Sequence, residues 1–307
     1  MAASGRAQVS RPPLVLEPLG VRGEAMFPAF EGWGPDKNGD NILLLGYYNR
    51  NKGQEFDIPI GPDNQIEPGG PDYGQPTHFY TSRQHGVFAI KVPKDFGNKK
   101  LTWTLTANGQ VSAVSFWLNP PYWIGFYKHQ ANGNEPPVIR FTPNGPTLTG
   151  PPVGIAQTLE GTVGRPVPLT LWASDVPERE HAKLDASLLT SSGPNPAGAT
   201  GPASVAVIGG QIIGGPRAGG AGERPPAPDI TVSWRRHRGP GDVRFAKDRI
   251  DLVTKGDPKV FLEATTTATF STPGEYIIRA QVNDDSGDGG GGDQCCWTTA
   301  HVRVSVK

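Results

Sequence analysis

Four aspartates lie close together near the end of the chain. Asp284, Asp285, Asp288 and Asp293 border a run of glycines at residues 289–292. Calcium ions take several carboxylate and carbonyl oxygens from flexible loops. The spacing differs from that of an EF-hand, so a solvated turn is the alternative. These four residues are the metal-site candidates, and calcium is the only cofactor that the sequence suggests.

The two cysteines of the chain, Cys295 and Cys296, are adjacent. Disulfide geometry favours partners that are distant in sequence, so a bridge between neighbours would be strained. The pair therefore either forms a strained vicinal disulfide or stays reduced and leads into the final strand as two small residues. With no third cysteine, neither can crosslink the fold internally.

Two histidines could take part in acid–base or metal chemistry. His78 and His85 bracket residues 80–84, and Glu67 or Asp72 could complete such a site. No HxH or HExxH spacing supports it, and the sequence contains no nucleophile elbow, P-loop or dinucleotide fingerprint. We therefore predict that the protein is not an enzyme and that these histidines are structural.

An aromatic cluster follows the last strand predicted for the first half of the chain. It consists of Tyr122, Trp123, Phe126 and Tyr127, with prolines on both sides. Such a cluster could be inter-domain glue, a platform that stacks sugars, or a docking surface for a protein. We take the four residues as candidates for partner binding.

Two further segments carry apolar patches in surroundings too rich in proline and glycine to fold alone. Leu14 and Leu16 lie in an N-terminal arm, residues 1–29. An insertion at residues 181–228 contains the others, which are Val205, Ile208, Ile212 and Ile213. Burial on a partner would offset the cost of ordering these segments, so we predict that they bind partners as well.

The elements that must position these residues are strands. Apolar and polar residues alternate in short runs that turn-forming residues separate, and Asn38-Gly39 is a hairpin signal. The runs lie at residues 31–33, 42–49, 54–60, 78–80, 86–92, 100–106, 111–118, 156–162, 168–174, 229–234, 268–270 and 273–284.

This pattern predicts an all-β fold of two β-sandwich domains. The first spans residues 30–118, a proline-rich connector spans 119–146, and the second spans 147–307 with the insertion inside it. Trp234 lies on a mid-domain strand and Tyr276 follows a Pro-Gly pair. Immunoglobulin-like sandwiches have a core tryptophan and a tyrosine corner at these places.

Composition agrees with this fold class and excludes others. The 307 residues include 41 glycines and 32 prolines, too many for long helices. The formal net charge is zero, so no overall field attracts the protein to nucleic acid, and we predict no nucleic-acid partner. The apolar runs are too short for a transmembrane helix, and the first 20 residues lack the apolar stretch of a signal peptide. We nevertheless expect a periplasmic or extracellular protein, because sandwiches rich in proline and glycine are common there.

The second half of the chain resembles PKD-type and related immunoglobulin-like repeats of bacterial surface and periplasmic proteins. The resemblance rests on Val232-Ser-Trp234, Gly239-Pro-Gly241, Ala268-Thr-Phe270 and Pro273-Gly-Glu-Tyr276. It implies a fold and no activity. The first half, through residues 46–51, 57–64 and 74–79, resembles an uncharacterised family of exported bacterial proteins. The insertion and the glycine-rich segment before Cys295 depart from ordinary PKD repeats.

These observations favour a non-catalytic accessory subunit that docks on the periplasmic or outer face of a larger assembly, such as a membrane electron-transfer or photosynthetic complex. The arm and the insertion motivate this prediction, and its partners would be proteins. The alternative is a carbohydrate-binding or cell-surface adhesion module, which the aromatic cluster motivates.

Overall fold

The computed structural model describes residues 20–128, 133–175, 206–208, 211–213, 228–254, 260–285 and 296–307. Within these residues the regular structure is β-strand apart from two single 3-10 turns, Lys94–Phe96 and Pro120–Tyr122. The predicted all-β fold of sandwich domains is therefore confirmed. The same residues contain no helix with the length and hydrophobicity needed to cross a membrane. Residues 1–19 of the predicted arm and most of the insertion lie outside the described residues, and the predicted arm boundary at residue 29 is too late because β1 already begins at Met26.

The first domain is a sandwich of two three-stranded sheets, ordered β1-β2-β6 and β4-β7-β8, with a small β3-β5 pair beside them. Its strands are β1 (Met26–Pro35), β2 (Asn41–Asn49), β3 (Phe56–Asp57), β4 (Asn64–Glu67), β5 (His78–Phe79), β6 (Ser82–Val92), β7 (Leu101–Ala107) and β8 (Gln110–Phe116). The predicted Asn38-Gly39 turn joins the antiparallel strands β1 and β2. The strand predicted at 54–60 is only two residues long, because Pro59 has no N–H to donate to a neighbouring strand.

Aromatic rings fill the core of the first domain. Phe79 and Phe88 pack against Trp103, with ring centroids 6.5 and 5.0 Å away. Trp103 is fully buried, and its Nε1 donates a hydrogen bond to Asn64 Oδ1 at 3.0 Å. The indole thereby buries its apolar surface while its one donor is satisfied.

The second domain is also a two-sheet sandwich, with strand orders β10-β19-β18-β14-β16 and β15-β17-β11-β9. Its strands are β9 (Val138–Arg140), β10 (Gln157–Gly161), β11 (Val167–Ser174), β14 (Ile230–Arg238), β15 (Val243–Phe245), β16 (Arg249–Leu252), β17 (Leu262–Phe270), β18 (Gly274–Asp284) and β19 (Trp297–Val306). Strand β9 comes from residues 119–146, so the second sandwich takes its first strand from the segment predicted to be a connector. A separate hairpin of β12 (Ala206–Ile208) and β13 (Gln211–Ile213) lies within the insertion.

The two marker residues of the second domain occupy the predicted positions. Trp234 is completely buried in the core between the two sheets. Tyr276 lies near the start of β18 and donates its hydroxyl to the Thr272 carbonyl at 2.8 Å, which is the hydrogen bond of a tyrosine corner. Its ring packs on Phe270, with centroids 4.7 Å apart. This domain is therefore an immunoglobulin-like sandwich.

Replacing Trp234 with alanine should destabilise the second domain by about 3–5 kcal/mol, because the truncation leaves a cavity in a closed core. Urea unfolding followed by circular dichroism measures this loss. Trp123→Ala is the matched control, because the side chain of Trp123 is 47% exposed and its loss leaves no cavity. Equal midpoints for the two variants would contradict the core position of Trp234.

Candidate functional site

The most extensive polar site in the described residues lies between the two domains. Residues that point away from the second-domain core on β14, β18 and β19 face residues 72–87 of the first domain. On β18, Arg279, Gln281 and Asn283 alternate with core residues, yet all three are buried. We call this contact the inter-domain interface.

Two arginines at the end of β14 anchor one side of the interface. Both terminal nitrogens of Arg238 donate hydrogen bonds to the Asp72 carboxylate, at 3.0 and 2.7 Å. Its Nε donates to the Gln75 carbonyl at 2.7 Å. The Arg236 backbone N–H donates to Tyr80 Oη at 2.8 Å. Such forked arginine–carboxylate pairs fix orientation as well as adding energy.

His78, one of the predicted site residues, lies beside this anchor. Its Nδ1 is 3.0 Å from Asp57 Oδ1 and its Nε2 is 3.3 Å from Glu55 Oε2, while Arg236 contacts both His78 Nδ1 and Asp57. Burial, and then the Arg236 charge, lower the pKa of His78, although Asp57 opposes them. His78 thus borders the Arg236–Asp57 salt bridge, and its carboxylate neighbours differ from Glu67 and Asp72, which the sequence offered as partners for an acid–base or metal site.

Side-chain donors from β18 anchor the centre of the interface. Arg279 donates to Gln84 Oε1 at 2.7 Å, and Gln281 Nε2 donates to the His85 carbonyl at 2.9 Å. Below them, the buried Glu31 carboxylate accepts hydrogen bonds from Arg83 and from the Gly86 backbone, both at 2.7 Å. Burial raises the pKa of Glu31 and lowers that of Arg279.

Two histidines of the second domain stack on each other at the interface. The ring centroids of His237 and His301 are 4.3 Å apart. His237 Nε2 is 2.8 Å from the Gly74 carbonyl, and His301 Nε2 is 3.1 Å from the Val87 carbonyl. Burial lowers the pKa of His301 to about 4 and lowers that of His237 well below its usual value, where the nearby His301 adds to the effect. Both rings are therefore neutral at pH 7.

Gly86 allows a close approach of the two domains. Its φ of +55° is in the left-handed region, and a Cβ there would overlap the indole nitrogen of Trp297. Trp297 is 2% exposed and its ring lies 5.9 Å from that of His85, centroid to centroid. A side chain at position 86 would therefore push the domains apart.

A groove of about 390 Å³ opens along the same junction. Asp36, Lys37 and Lys91 of the first domain line one side, and Ile155 and His301 line the other. Lys91 is paired with Asp36 at 3.1 Å and with Asp40 at 2.6 Å, so its charge is shared between two carboxylates. The lining shows no arrangement of nucleophile and base.

The structure divides the predicted aromatic cluster in two. Tyr122 and Trp123 are 50% and 47% exposed. They are fixed to β1, because Ile124 N–H donates to the Trp33 carbonyl at 2.8 Å and Tyr122 packs on Phe30 with centroids 5.5 Å apart. We call Tyr122 and Trp123 the aromatic platform.

The other two aromatic residues pack inward, Phe126 on the first domain and Tyr127 towards the second. Phe126 is buried against Ile42 and Leu44 on the outer face of β2. Tyr127 is half-buried and covers Gly150, which leads into the second sandwich. The structure thus removes Phe126 from the exposed docking surface that the sequence suggested, since an apolar cluster encloses it.

The remaining predicted site residues are only partly described. Asp284 is buried and accepts a hydrogen bond from Asn134 at 2.7 Å, and Asp285 follows it at the end of β18. The other metal candidates, Asp288 and Asp293, lie outside the described residues, as do Cys295, Leu14, Leu16 and Val205. Ile208, Ile212 and Ile213 are placed on the β12–β13 hairpin. The described part of the chain contains no cluster of three potential metal ligands.

The sequence singled out His78, His85 and Asp72 but not the other interface residues. The run Arg235-Arg236-His237-Arg238 at the end of a predicted strand was the available signal, because four consecutive basic or imidazole side chains include positions on both faces of the strand. The partners of these side chains come from the other domain, about 160 residues away in sequence.

Comparison with known proteins identifies no family for this chain. No family model and no curated protein matches it. A solved structure described as the D00-D0 domain of intimin aligns over 93% of this chain and 94% of its own, with 11% identity and a TM-score of 0.24. A TM-score this low carries no argument about fold or function.

Gly86→Ala should weaken the inter-domain interface. Alanine in the left-handed region costs roughly 1–2 kcal/mol on its own, and here its methyl group would also overlap Trp297. Gly109→Ala is the matched control, because Gly109 has φ +71° and nothing within 4 Å of the added methyl group. Urea unfolding should show a clearly larger loss for Gly86→Ala, and equal losses would contradict the close packing of the domains.

The calcium hypothesis stays a prediction with a direct test. An ion that binds only the folded state raises the free energy of unfolding by mass action, by about 2.7 kcal/mol when its free concentration is a hundred times its Kd. We therefore expect a higher melting temperature in millimolar Ca²⁺ than in chelator. Identical melting curves would remove Asp284, Asp285, Asp288 and Asp293 as a site.

Proposed function

We propose that this protein is a non-catalytic binding module that docks on a larger assembly through the aromatic platform. The observation that carries the proposal is the half-exposure of Tyr122 and Trp123 on a backbone hydrogen-bonded to β1. Tryptophan and tyrosine are the usual anchors of protein interfaces, and anchors that are already ordered lose little entropy on binding.

A structural role for the titratable groups supports the non-catalytic part of the proposal. His237 and His301, with strongly lowered pKa values, each place Nε2 against a main-chain carbonyl of the other domain. His78 and Arg236 are likewise held by Asp57. Perturbed groups of this kind also occur in structural networks.

The larger assembly is the finer part of the proposal. A location outside the cytoplasm, on a membrane electron-transfer or photosynthetic complex, follows the sequence prediction, in which the arm and the insertion add contacts. Cell fractionation, followed by affinity purification from native membranes and mass spectrometry, tests both location and partner.

Carbohydrate binding is the second candidate function, and the same platform favours it. Two half-exposed aromatic rings next to each other can stack on the apolar faces of sugar rings. A glycan array separates the two functions, because specific glycan binding that Trp123→Ala abolishes would support the second and not the first.

Trp123→Ala should lower partner affinity by at least tenfold while leaving the fold intact, because truncation of an interface anchor costs about 2 kcal/mol or more. Co-purification measured with the wild type and the variant at equal concentrations gives the result. Val111→Ala is the control, since Val111 is 69% exposed on β8 and lies in neither the inter-domain interface nor the aromatic platform. Undiminished binding by Trp123→Ala would overturn the assignment of the platform.

A further inference from the structure

Four of the six histidines in the chain lie at the inter-domain interface. His78 and His85 belong to the first domain, and His237 and His301 belong to the second. Histidine is the side chain whose charge ordinarily changes between pH 5 and pH 8. An interface with this composition is a place where protons and domain contact can be linked.

The hydrogen bonds of the stacked pair fix the tautomer of each neutral ring. A carbonyl oxygen only accepts, so the Nε2–H of His237 donates to Gly74 and that of His301 donates to Val87. The Nδ1 of His237 is buried and has no hydrogen-bond partner among the described residues. A second proton on this ring would therefore be a buried donor with nothing to accept it.

The charges around the pair also oppose protonation. Arg279 on β18 and Arg238 on β14 act on both rings, and each ring faces the other. The carboxylates on the first-domain side are already engaged. Asp72 is held by Arg238, and Glu31 is held by Arg83 and the Gly86 backbone.

The groove beside His301 supplies no free counter-charge either. The charged residues that line it are Asp36, Lys37 and Lys91. Lys91 is paired with both Asp36 and Asp40, and Lys37 donates to Thr149. The two carboxylates and two ammonium groups have a net charge of zero, so a proton on His301 adds an unbalanced cation.

The first-domain histidines face mixed surroundings. His78 has Asp57 and Glu55 on one side and Arg236 on the other. His85 lies 3.6 Å from Glu31 and also feels Arg83. Burial lowers the pKa of His78 and lowers that of His85 to about 4, but each ring has a carboxylate oxygen within 3.6 Å that can accept a hydrogen bond from an added proton. His237 Nδ1 has no such acceptor among the described residues, so the latch is assigned to the second-domain pair.

We propose that His237 and His301 form an acid-sensitive latch, and that proton uptake by this pair separates the two domains while each sandwich stays folded. Opening would expose the polar outer faces of β18 and β19, together with Trp297. The surface that the module presents would then differ between neutral and acidic surroundings.

The size of the effect follows from proton linkage. A histidine whose pKa is lower in the closed form favours closure above its ordinary pKa of 6.5, and this preference is lost as the pH falls towards the closed-form value. For His301, whose pKa falls to about 4, the open-to-closed ratio should rise roughly 70-fold between pH 7.5 and pH 4.5. His237 acts in the same direction.

Hydrogen exchange on the full chain tests the latch. The Thr77 amide donates to the His237 carbonyl across the interface, and the Arg236 amide donates to Tyr80 Oη. Protection factors at these amides, corrected for the intrinsic pH dependence of exchange, should fall at least 50-fold from pH 7.5 to pH 4.5. Amides between β14 and β18 in the sandwich core should keep their protection.

Two variants separate the latch from general acid sensitivity. His237→Gln/His301→Gln retains a side-chain N–H donor on each residue and removes the titration, so its interface protection should hardly change with pH. His78→Gln/His85→Gln leaves the latch in place and should still lose interface protection as the pH falls. Equal pH dependence in the wild type and the His237/His301 variant would overturn the proposal.

A wild-type measurement covers the case in which the double variant does not fold. The imidazole resonances of His237 and His301 report protonation of each ring directly by NMR. Their titration midpoints should coincide with the loss of interface protection. Rings that become protonated while Thr77 and Arg236 stay protected would equally overturn the latch.

Discussion

The structure depends on the burial of a polar sheet face. The outer side of β18 and β19 carries Arg279, Gln281 and His301, and the first domain covers it. Burying such groups costs free energy unless each finds a hydrogen-bond partner. Gln281 and His301 find theirs on main-chain carbonyls of β6, whose positions the first sandwich fixes. Because hydrogen bonds are directional, a rotated or shifted contact would leave these groups unsatisfied, so the polar face sets the relative orientation of the domains.

The sequence was sufficient to predict each sandwich but not their contact. Alternation on β18 places Tyr276, Ile278 and Ala280 in the core, and the period of two is readable from the residues alone. The same alternation marks Arg279 and Gln281 as a solvated face, since polar residues opposite a core are normally in water. Only the position of residues 72–87, which belong to the other domain, reverses this interpretation. The short strands β9, β15 and β16 were missed because three or four residues carry too little periodicity.

The aromatic cluster shows the same limit on a smaller scale. Residue types left glue, sugar platform and docking surface open. The backbone decides between them, because residues 122–124 lie beside β1 and form a bridge between Trp33 and Trp123. Gly32 and Gly34 permit this approach, since a Cβ on either would meet Ile124. Ile124 then turns inward to the cluster around Phe126, while Trp123 on the adjacent position turns outward. The exposure of the aromatic platform is thus a consequence of how Ile124 and Phe126 pack against the first domain.

Several buried polar atoms at the inter-domain interface lack a hydrogen-bond partner, and this lowers the stability of the contact. In the described part of the chain, His237 Nδ1, Arg279 Nε and Trp297 Nε1 are buried without a hydrogen-bond partner. Each such atom costs about 1–3 kcal/mol, which offsets much of what a cross-domain hydrogen bond contributes. Trp234 Nε1 is one such atom in the core of the second sandwich, but aliphatic and aromatic side chains otherwise fill both cores. The free energy of the inter-domain contact is therefore a small difference between favourable hydrogen bonds and unpartnered polar atoms. A charge added to His237 or His301 changes this small difference and leaves the free energy of the two cores unaffected.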